Sequence, residues 1–402
     1  MLSDAASAQP ASFRGVGFLD GSTLPYSQHG GVSPDGSIVV GYSSSPRTSI
    51  YEAFRWSAQT GGMRPLGDLA GGDFKSLALD SSRFGQVIVG AGEGQRLGVL
   101  RAARWTLATG LVELGPITGR LEDSSYAYAV SSSGAVIVGE SISLNNIRQA
   151  FRWTEATGTQ ALDTSLACSA RAVTAGGDLI AGEFDPSDVP GTDPFAGTWT
   201  QASGWTRLPA LPGIRSSVAN GLSSSGVVAV GSLASQDATI ACRWIGNQVQ
   251  PLGPGLRVSN ATCVSADGRF VFGSTFSTAN NETAFVWDRR RGLRLLRDAL
   301  LIDHGINVGN WRLIAVRGAS DDGSVITGEG INPQGRREVW VATVPVCPAD
   351  LDLTGTVDLF DYFEYVQSYV GAGDSDADAD FDGTVGLFDY LRFIEQFAAD
   401  CP

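Results

Sequence analysis

Seven times along the chain a glycine is followed five residues later by a second glycine across an apolar run, and a tryptophan comes 12 to 17 residues after that. The pairs are Gly36/Gly41, Gly85/Gly90, Gly134/Gly139, Gly177/Gly182, Gly226/Gly231, Gly268/Gly273 and Gly323/Gly328. The tryptophans are Trp56, Trp105, Trp153, Trp199, Trp244, Trp287 and Trp340. A small polar turn with Gly entering a Val/Ile run is a hairpin signal. The run to each Trp reads AFRW at Ala53 to Trp56 and at Ala150 to Trp153, AARW before Trp105, ACRW before Trp244 and AFVW before Trp287. Most copies add a second turn at Gly and a return run ending Leu-Gly or Leu-Pro. A unit thus offers four short strands, and four strands repeated seven times is the sequence form of a seven-bladed β-propeller.

The ends of the repeat array favour a closed ring over an open solenoid. The last unit stops after its third strand, Glu338 to Thr343, and runs into Pro345. Its missing fourth strand is predicted at the N-terminus, where Arg14 to Leu19 resembles a return strand such as Leu66 to Leu69. Pairing them leaves no free edge pair. The expected organisation is a segment 1–12 read as flexible, a propeller over 13–345, and a separate small domain over 346–402.

The pattern VS-x-DG-x-VVG followed by AFRW resembles the extracellular HAF repeat, over nearly all of residues 14–344. That resemblance implies a secreted or surface setting and no assigned chemistry. The second unit departs from it at Leu79 to Gly85, where the turn is longer, and the fourth has Gly197-Thr198 before its Trp.

Within the propeller the seven Trp read as packing between blades, and Arg55, Arg104, Arg152 and Arg243, one residue earlier, fall on the opposite strand face, placed to bridge blades or line a surface. Catalytic motifs are missing: the two histidines, His29 and His304, are far apart, and no HExxH, GxSxG or Walker-type loop is present. His29 aligns with Ala127, Ala170, Ala219 and Ala261 on the strand nearest the channel. After the second Gly come Tyr42, Ala91, Glu140, Glu183, Ser232, Ser274 and Glu329. Three carboxylates at one position of a ring are the raw material of glycoside cleavage; the simpler reading is an exposed loop position that tolerates Glu. No catalytic residue is assigned.

The charge is concentrated at the other end. Cys347 to Pro402 holds 11 Asp, 2 Glu and 1 Arg, and so carries −12 of the total −14. There is no basic excess to hold nucleic acid, and no apolar stretch reaches the length of a membrane span. Such acidity usually marks a solvated tail, yet Phe, Tyr and Leu are interleaved with the Asp, which favours a fold neutralised by cations. With Gly355 as the sixth residue of a calcium loop, Asp350, Asp352, Thr354, Asp358 and Asp361 fall at positions 1, 3, 5, 9 and 12, and Thr356 supplies a carbonyl at 7. Gly383 likewise places Asp378, Asp380, Asp382 and Asp389 at 1, 3, 5 and 12, with Thr384 at 7 and Gly386 at 9. Two Ca²⁺ ions are therefore expected. An EF-hand would need a helix before each loop, which Pro345-Val346-Cys347-Pro348 and Gly371-Ala372-Gly373 cannot supply.

Tyr362, Tyr365, Val366 and Tyr369 after the first loop, and Tyr390, Phe393, Ile394 and Phe397 after the second, form matching helical stripes for a core. Cys347 and Cys401 bracket the segment, and a disulfide between them is expected to add about 4 kcal/mol by restricting the unfolded chain. It would imply an oxidising compartment, although no signal peptide is visible. Cys242 and Cys263 could pair, leaving Cys168.

A calcium loop followed only by its exiting helix resembles the dockerin arrangement, in particular the Cys-flanked type that ends secreted proteins. The resemblance implies docking to a cohesin-like receptor through loop positions 10 and 11, here Leu359/Phe360 and Leu387/Phe388. Phe363 and Leu391 extend that set, which a domain of this size has difficulty burying along with its core stripe. The resulting expectation is a secreted or cell-surface binding propeller, of unknown ligand, anchored to a cohesin-like or surface receptor by a calcium-dependent module. The alternative is a propeller enzyme acting on polysaccharide, delivered by the same module.

Overall fold

The computed structural model describes residues 10–398, apart from 20, 22–24, 48–49, 116, 118–122, 187–192, 254, 277–281, 348, 352–356 and 371–384. The described residues form seven antiparallel four-stranded sheets and three α-helices. Each sheet is one propeller blade. The innermost strands of blades 1 to 7 are Ser27–Val32, Ser76–Ser81, Ser124–Val130, Cys168–Val173, Ser216–Leu222, Ser259–Val264 and Arg312–Ala319.

Both glycines of the repeat are explained. The first lies in the left-handed region in all seven units, with φ between 65° and 82°, as the tight turn between the first two strands requires. The second lies so close to the innermost strand that a Cβ there would run into a backbone carbonyl, Tyr126 O for Gly139 and Ser169 O for Gly182. The Ser or Thr opening each turn completes the motif. Its hydroxyl accepts the backbone N–H five residues on: Ile38 to Ser33 Oγ at 3.0 Å, Val136 to Ser131 at 3.1 Å, Leu179 to Thr174 at 3.2 Å and Val325 to Ser320 at 2.9 Å, with blades 2, 5 and 6 alike.

Neighbouring blades are joined by a second repeated device. The alanine that begins the AFRW run has a buried N–H facing the next blade, and a hydroxyl at the start of that blade's innermost strand accepts it. Ala53 donates to Ser76 Oγ (3.1 Å), Ala102 to Ser125 (2.9 Å), Ala196 to Ser217 (2.8 Å) and Ala241 to Ser259 (2.9 Å); Val339 of blade 7 donates to Ser27 (3.0 Å). Between blades 3 and 4 the acceptor is the Cys168 thiol, at 3.4 Å from Ala150 N. Cys168, Cys242 and Cys263 are free thiols, so the possible Cys242–Cys263 disulfide is not formed.

The Trp and Arg of the repeat also work across blades. Trp56, Trp153, Trp244, Trp287 and Trp340 are buried in the apolar layers. The guanidinium groups of Arg55, Arg104 and Arg243 lie 5.9, 4.7 and 4.3 Å from the Trp105, Trp153 and Trp287 rings of the following blades, a cation–π contact of about 0.5–1 kcal/mol at such half-open sites. Arg14 of blade 7 makes the same contact with Trp56 of blade 1 at 4.7 Å.

The ring closes as the sequence predicts. Ser12–Gly15 pairs with Arg337–Thr343 as the outermost strand of blade 7. This strand begins two residues earlier and ends sooner than the expected 14–19 run, because Val16 already takes the place of the closing leucines: its N–H bonds Val339 O at 2.9 Å, as Leu66 N–H bonds Ala53 O. Ser12, assigned to the flexible segment, is therefore in a strand; residues 1–9 lie outside the described residues. Helix α1, Leu296–His304, between blades 6 and 7, was not anticipated from the repeat, although its left-handed cap Gly305 is a readable stop signal.

After Thr343 the chain turns into the C-terminal pair α2, Leu359–Val370, and α3, Leu387–Ala398. Their inner stripes meet as expected. Tyr365 and Phe393 stack at 3.9 Å and 7°, with Tyr362, Tyr369, Tyr390, Ile394 and Phe397 around them and Ala349 and Leu351 beneath.

Replacing Ser76 by Ala leaves the buried Ala53 N–H without its acceptor and is expected to cost about 1–3 kcal/mol. Cys168→Ser, which puts a hydroxyl where the other blades have one, is expected to leave stability within about 0.5 kcal/mol of wild type or raise it. Denaturant titration of the full chain distinguishes the two, and equal losses would refute the inter-blade role.

Candidate functional site

Each innermost strand carries a β-bulge just after the residue opposite the repeat's second glycine. A bulge re-aims one side chain. The bulge residues are Gly30, Leu79, Tyr128, Arg171, Asn220, Thr262 and Arg317. All but Gly30 line a central cavity of about 610 Å³. The sequence held a signal for them: directly after the small residues Ala127, Ala170, Ala219 and Ala261 comes the position whose chemistry changes most from blade to blade.

Glu140, Glu183 and Glu329 lie on the second strands, facing Tyr126, Ser169 and Ala315. They are not on exposed loops, the simpler sequence reading; Glu140 and Glu329 are buried. Each is held by the bulge residue of its own blade. Tyr128 OH donates to Glu140 Oε1 at 2.6 Å, Arg171 pairs with Glu183 at 2.8 Å, and Arg317 Nε donates to Glu329 Oε1 at 3.0 Å. Burial works against the Arg171 charge, but Glu183 and Glu140 outweigh it and hold its pKa above the usual value. The glutamates thus orient cavity-lining donors. Between the two arginine blades, Asn220 donates to Asn260 Oδ1 at 2.9 Å and Thr262 to Val316 O at 2.8 Å.

In the tail the structure describes some of the expected calcium ligands. Asp350 is buried, and its carbonyl accepts the Arg269 guanidinium of blade 6 at 3.3 Å. Arg289 of the same blade bonds Leu351 O at 2.8 Å and pairs with Glu364. Asp361 and Asp389 are 0% and 2% exposed in the first turns of α2 and α3. Asp361 Oδ2 accepts Asp358 N–H at 2.8 Å, one half of a capping box, while Asp358 Oδ1 caps the second helical amide, Phe360 N–H, at 2.8 Å. Asp389 Oδ2 accepts Gly386 N–H at 2.6 Å, the same half of the motif. Asp352, Thr354, Thr356, Asp378, Asp380, Asp382 and Thr384 lie outside the described residues, as does Cys401; Cys347 is not among the free thiols. The predicted docking set stands on the outer faces of the helices. Leu359, Phe360, Phe363, Leu387, Phe388 and Leu391 are 51 to 76% exposed.

No known family description matches the chain, and no curated protein matches it in sequence. Its fold is shared with solved structures. Oligogalacturonate lyase from Vibrio parahaemolyticus superimposes with a TM-score of 0.52 at 11% identity, over 84% of this chain and 98% of that one. The β-propeller domain of the trilobed protease from Pyrococcus furiosus, described as having an open velcro topology, gives 0.53 at 9% identity, over 80% and 96%. A prolyl endopeptidase gives 0.51 at 11%, over 79% of this chain and 46% of that one. At these identities the likeness shows the propeller fold alone. No described helix is long and apolar enough to cross a membrane.

His29 adopts φ 74° beside the bulge of blade 1, and its Nε2 lies 2.8 Å from the Leu79 carbonyl. A carbonyl only accepts, so Nε2 carries the proton and donates. Desolvation, helped by the Arg317 charge, lowers the His29 pKa to about 4. Because the folded value lies below the unfolded 6.5, His29 supports the fold above pH 6.5 and that support is lost as pH falls toward 4. His29→Asn, which tolerates the left-handed backbone, is expected to remove this dependence: the variant should gain about 2–3 kcal/mol relative to wild type between pH 7 and 4. Parallel stability curves from denaturation at both pH values would contradict it.

Proposed function

We propose that this chain is a secreted or cell-surface recognition propeller, built of HAF-like repeats and presented on a partner through a dockerin-like C-terminal module. The observation that carries the reading is the duplicated apolar set on α2 and α3. The inner stripes already build a core around Tyr365 and Phe393, yet Leu359, Phe360 and Phe363, repeated as Leu387, Phe388 and Leu391, stay open to solvent. Covering one such side chain contributes about 1.5–3 kcal/mol, so six of them favour a partner that matches both helices. A cohesin-like receptor is the partner the dockerin resemblance implies.

The oxygen donors of the tail fit two calcium ions. Asp361 and Asp389 are buried carboxylates at matched positions, and Asp350 is buried at the head of the first loop. With Asp352, Thr354, Thr356 and Asp358, and with Asp378, Asp380, Asp382 and Thr384 in the second loop, they form the hard oxygen set that Ca²⁺ takes. When bound, the ion would offset the negative charge that these carboxylates gather at the helix starts. A Cys347–Cys401 disulfide would tie the two ends of the module and belongs to an oxidising compartment.

Two outcomes test the reading. Chelating calcium is expected to remove the part of the helical far-ultraviolet circular dichroism signal that the 12-residue α2 and α3 contribute, while the contribution of α1 and the β signal persist. An unchanged helical signal would exclude metal-dependent folding. Biolayer interferometry against a panel of purified cohesin domains is expected to show calcium-dependent binding that Phe360→Ser/Phe388→Ser weakens at least about a hundredfold, some 2.7 kcal/mol. Equal binding by wild type and variant, or binding by neither, would refute the docking face.

A further inference from the structure

The chain has nine tyrosines, and four of them are in the tail. The other five, Tyr26, Tyr42, Tyr51, Tyr126 and Tyr128, come from segments of blades 1 and 3 up to a hundred residues apart, yet they meet on one face of the ring. Tyr42 and Tyr51 lie 5.0 Å apart, and Tyr126 and Tyr128 stack at 6.0 Å with an interplanar angle of 3°. Tyr42, Tyr51 and Tyr126, together with Leu79, rest on Leu77, Ala91 and Leu100 of blade 2, which joins the two groups. All five are half-buried, so one part of each ring is packed and another is open. The Lys75 ammonium stands 5.5 Å over Tyr51.

Directional polar groups stand at the same level. Tyr126 lies directly across from Glu140, and Tyr128 donates to it. The Arg171 guanidinium lies 5.9 Å over the Tyr128 ring. Arg171 and Arg317, on blades 4 and 7, enter the central cavity from opposite sides of the ring, each steered by a glutamate. Tyr128, Leu79, Arg171 and Arg317 line the central cavity of about 610 Å³, within the size of small-ligand sites, and the other four tyrosines form a platform that joins it through Tyr126 stacked on Tyr128. The arginines are matched by carboxylates, so the face has no cationic excess for a polyphosphate. Mixed donors and acceptors beside flat amphipathic rings suit a ligand with apolar C–H faces and equatorial hydroxyls.

This face also points away from the tail. The tail leaves after Thr343, which pairs with Val325 just beyond the Ser320–Gly323 turn, and the Arg269 turn of blade 6 holds Asp350. The tyrosines lie at the opposite ends of the strands, where Gln28 pairs with Tyr42 and Tyr126 with Glu140.

We infer that the tyrosine platform of blades 1 and 3, which reaches the central cavity through Tyr128 with Arg171, Glu140 and Arg317 beside it, is a saccharide-binding site. This names the ligand class for the recognition propeller proposed above and rests on that role, but not on the docking helices.

Isothermal titration of the full chain in calcium tests it, with cellohexaose and xylohexaose as neutral probes and hexagalacturonate as an acidic one. Saturable binding of a probe is expected, and the neutral or acidic arm that responds identifies the source of the pyranose. Tyr51→Ala and Tyr126→Ala are expected to weaken it at least about tenfold, 1.4 kcal/mol. Tyr51→Phe, which keeps the ring and the fold, should retain most of the binding, and Phe360→Ser/Phe388→Ser all of it. No saturable binding of any probe at millimolar concentration, or alanine variants with wild-type melting temperature and wild-type affinity, would overturn the assignment. Loss of cohesin binding with intact saccharide binding would instead strike only the docking helices.

Discussion

The ring of blades in this protein is closed by a strand from the beginning of the repeat array, which finishes the last sheet. Pairing of Ser12–Gly15 with Arg337–Thr343 gives blade 7 the fourth strand that the other six blades have. It joins residues more than 320 positions apart, so its loop-closure entropy is set against contacts all around the ring. Those contacts recur: a hydroxyl satisfying the neighbouring blade's alanine N–H, and an arginine lying over the neighbouring blade's tryptophan. Because every blade leans on two others, the central cavity is bounded by elements that cannot move independently.

That rigidity lets variable chemistry be placed on a uniform frame. The turns, glycines and inter-blade hydroxyls barely change from blade to blade, whereas the bulge residue runs from Gly30 through Leu79 and Tyr128 to Arg317. Bulges are suited to this because they turn a side chain without altering the ladder on either side. The glutamates on the second strands then hold Tyr128, Arg171 and Arg317 in fixed directions, and a positioned donor loses less entropy when a ligand arrives. His29, kept neutral beside Arg317 and bonded to Leu79 O, ties the bulge of blade 1 to that of blade 2.

The tail has a different economy. Its two helices bury a small aromatic core and leave an equal apolar set outside, while its buried aspartates gather at the helix starts. Arg269 and Arg289 of blade 6 hold the carbonyls of Asp350 and Leu351 against the face of the ring opposite the tyrosines. The molecule thereby has two ends with separate chemistries, one apolar and duplicated, the other aromatic and polar.

Blade count, blade order, ring closure and the facing of the two tail stripes were all legible in the linear chain, because each depends on local periodicity: glycines five apart, alternation along a strand, apolar residues at helical spacing. For the closing strand only the limits shifted, with Val16 standing where the other blades have their closing leucine. Convergence was not legible. That Tyr42, Tyr51 and Tyr126 share one platform, that Glu140, Glu183 and Glu329 are partners of bulge residues, and that Cys168 serves as a hydroxyl's substitute are facts of the closed ring. They depend on which side chains a bulge redirects and which blades become neighbours, and such distances through space have no period along the chain.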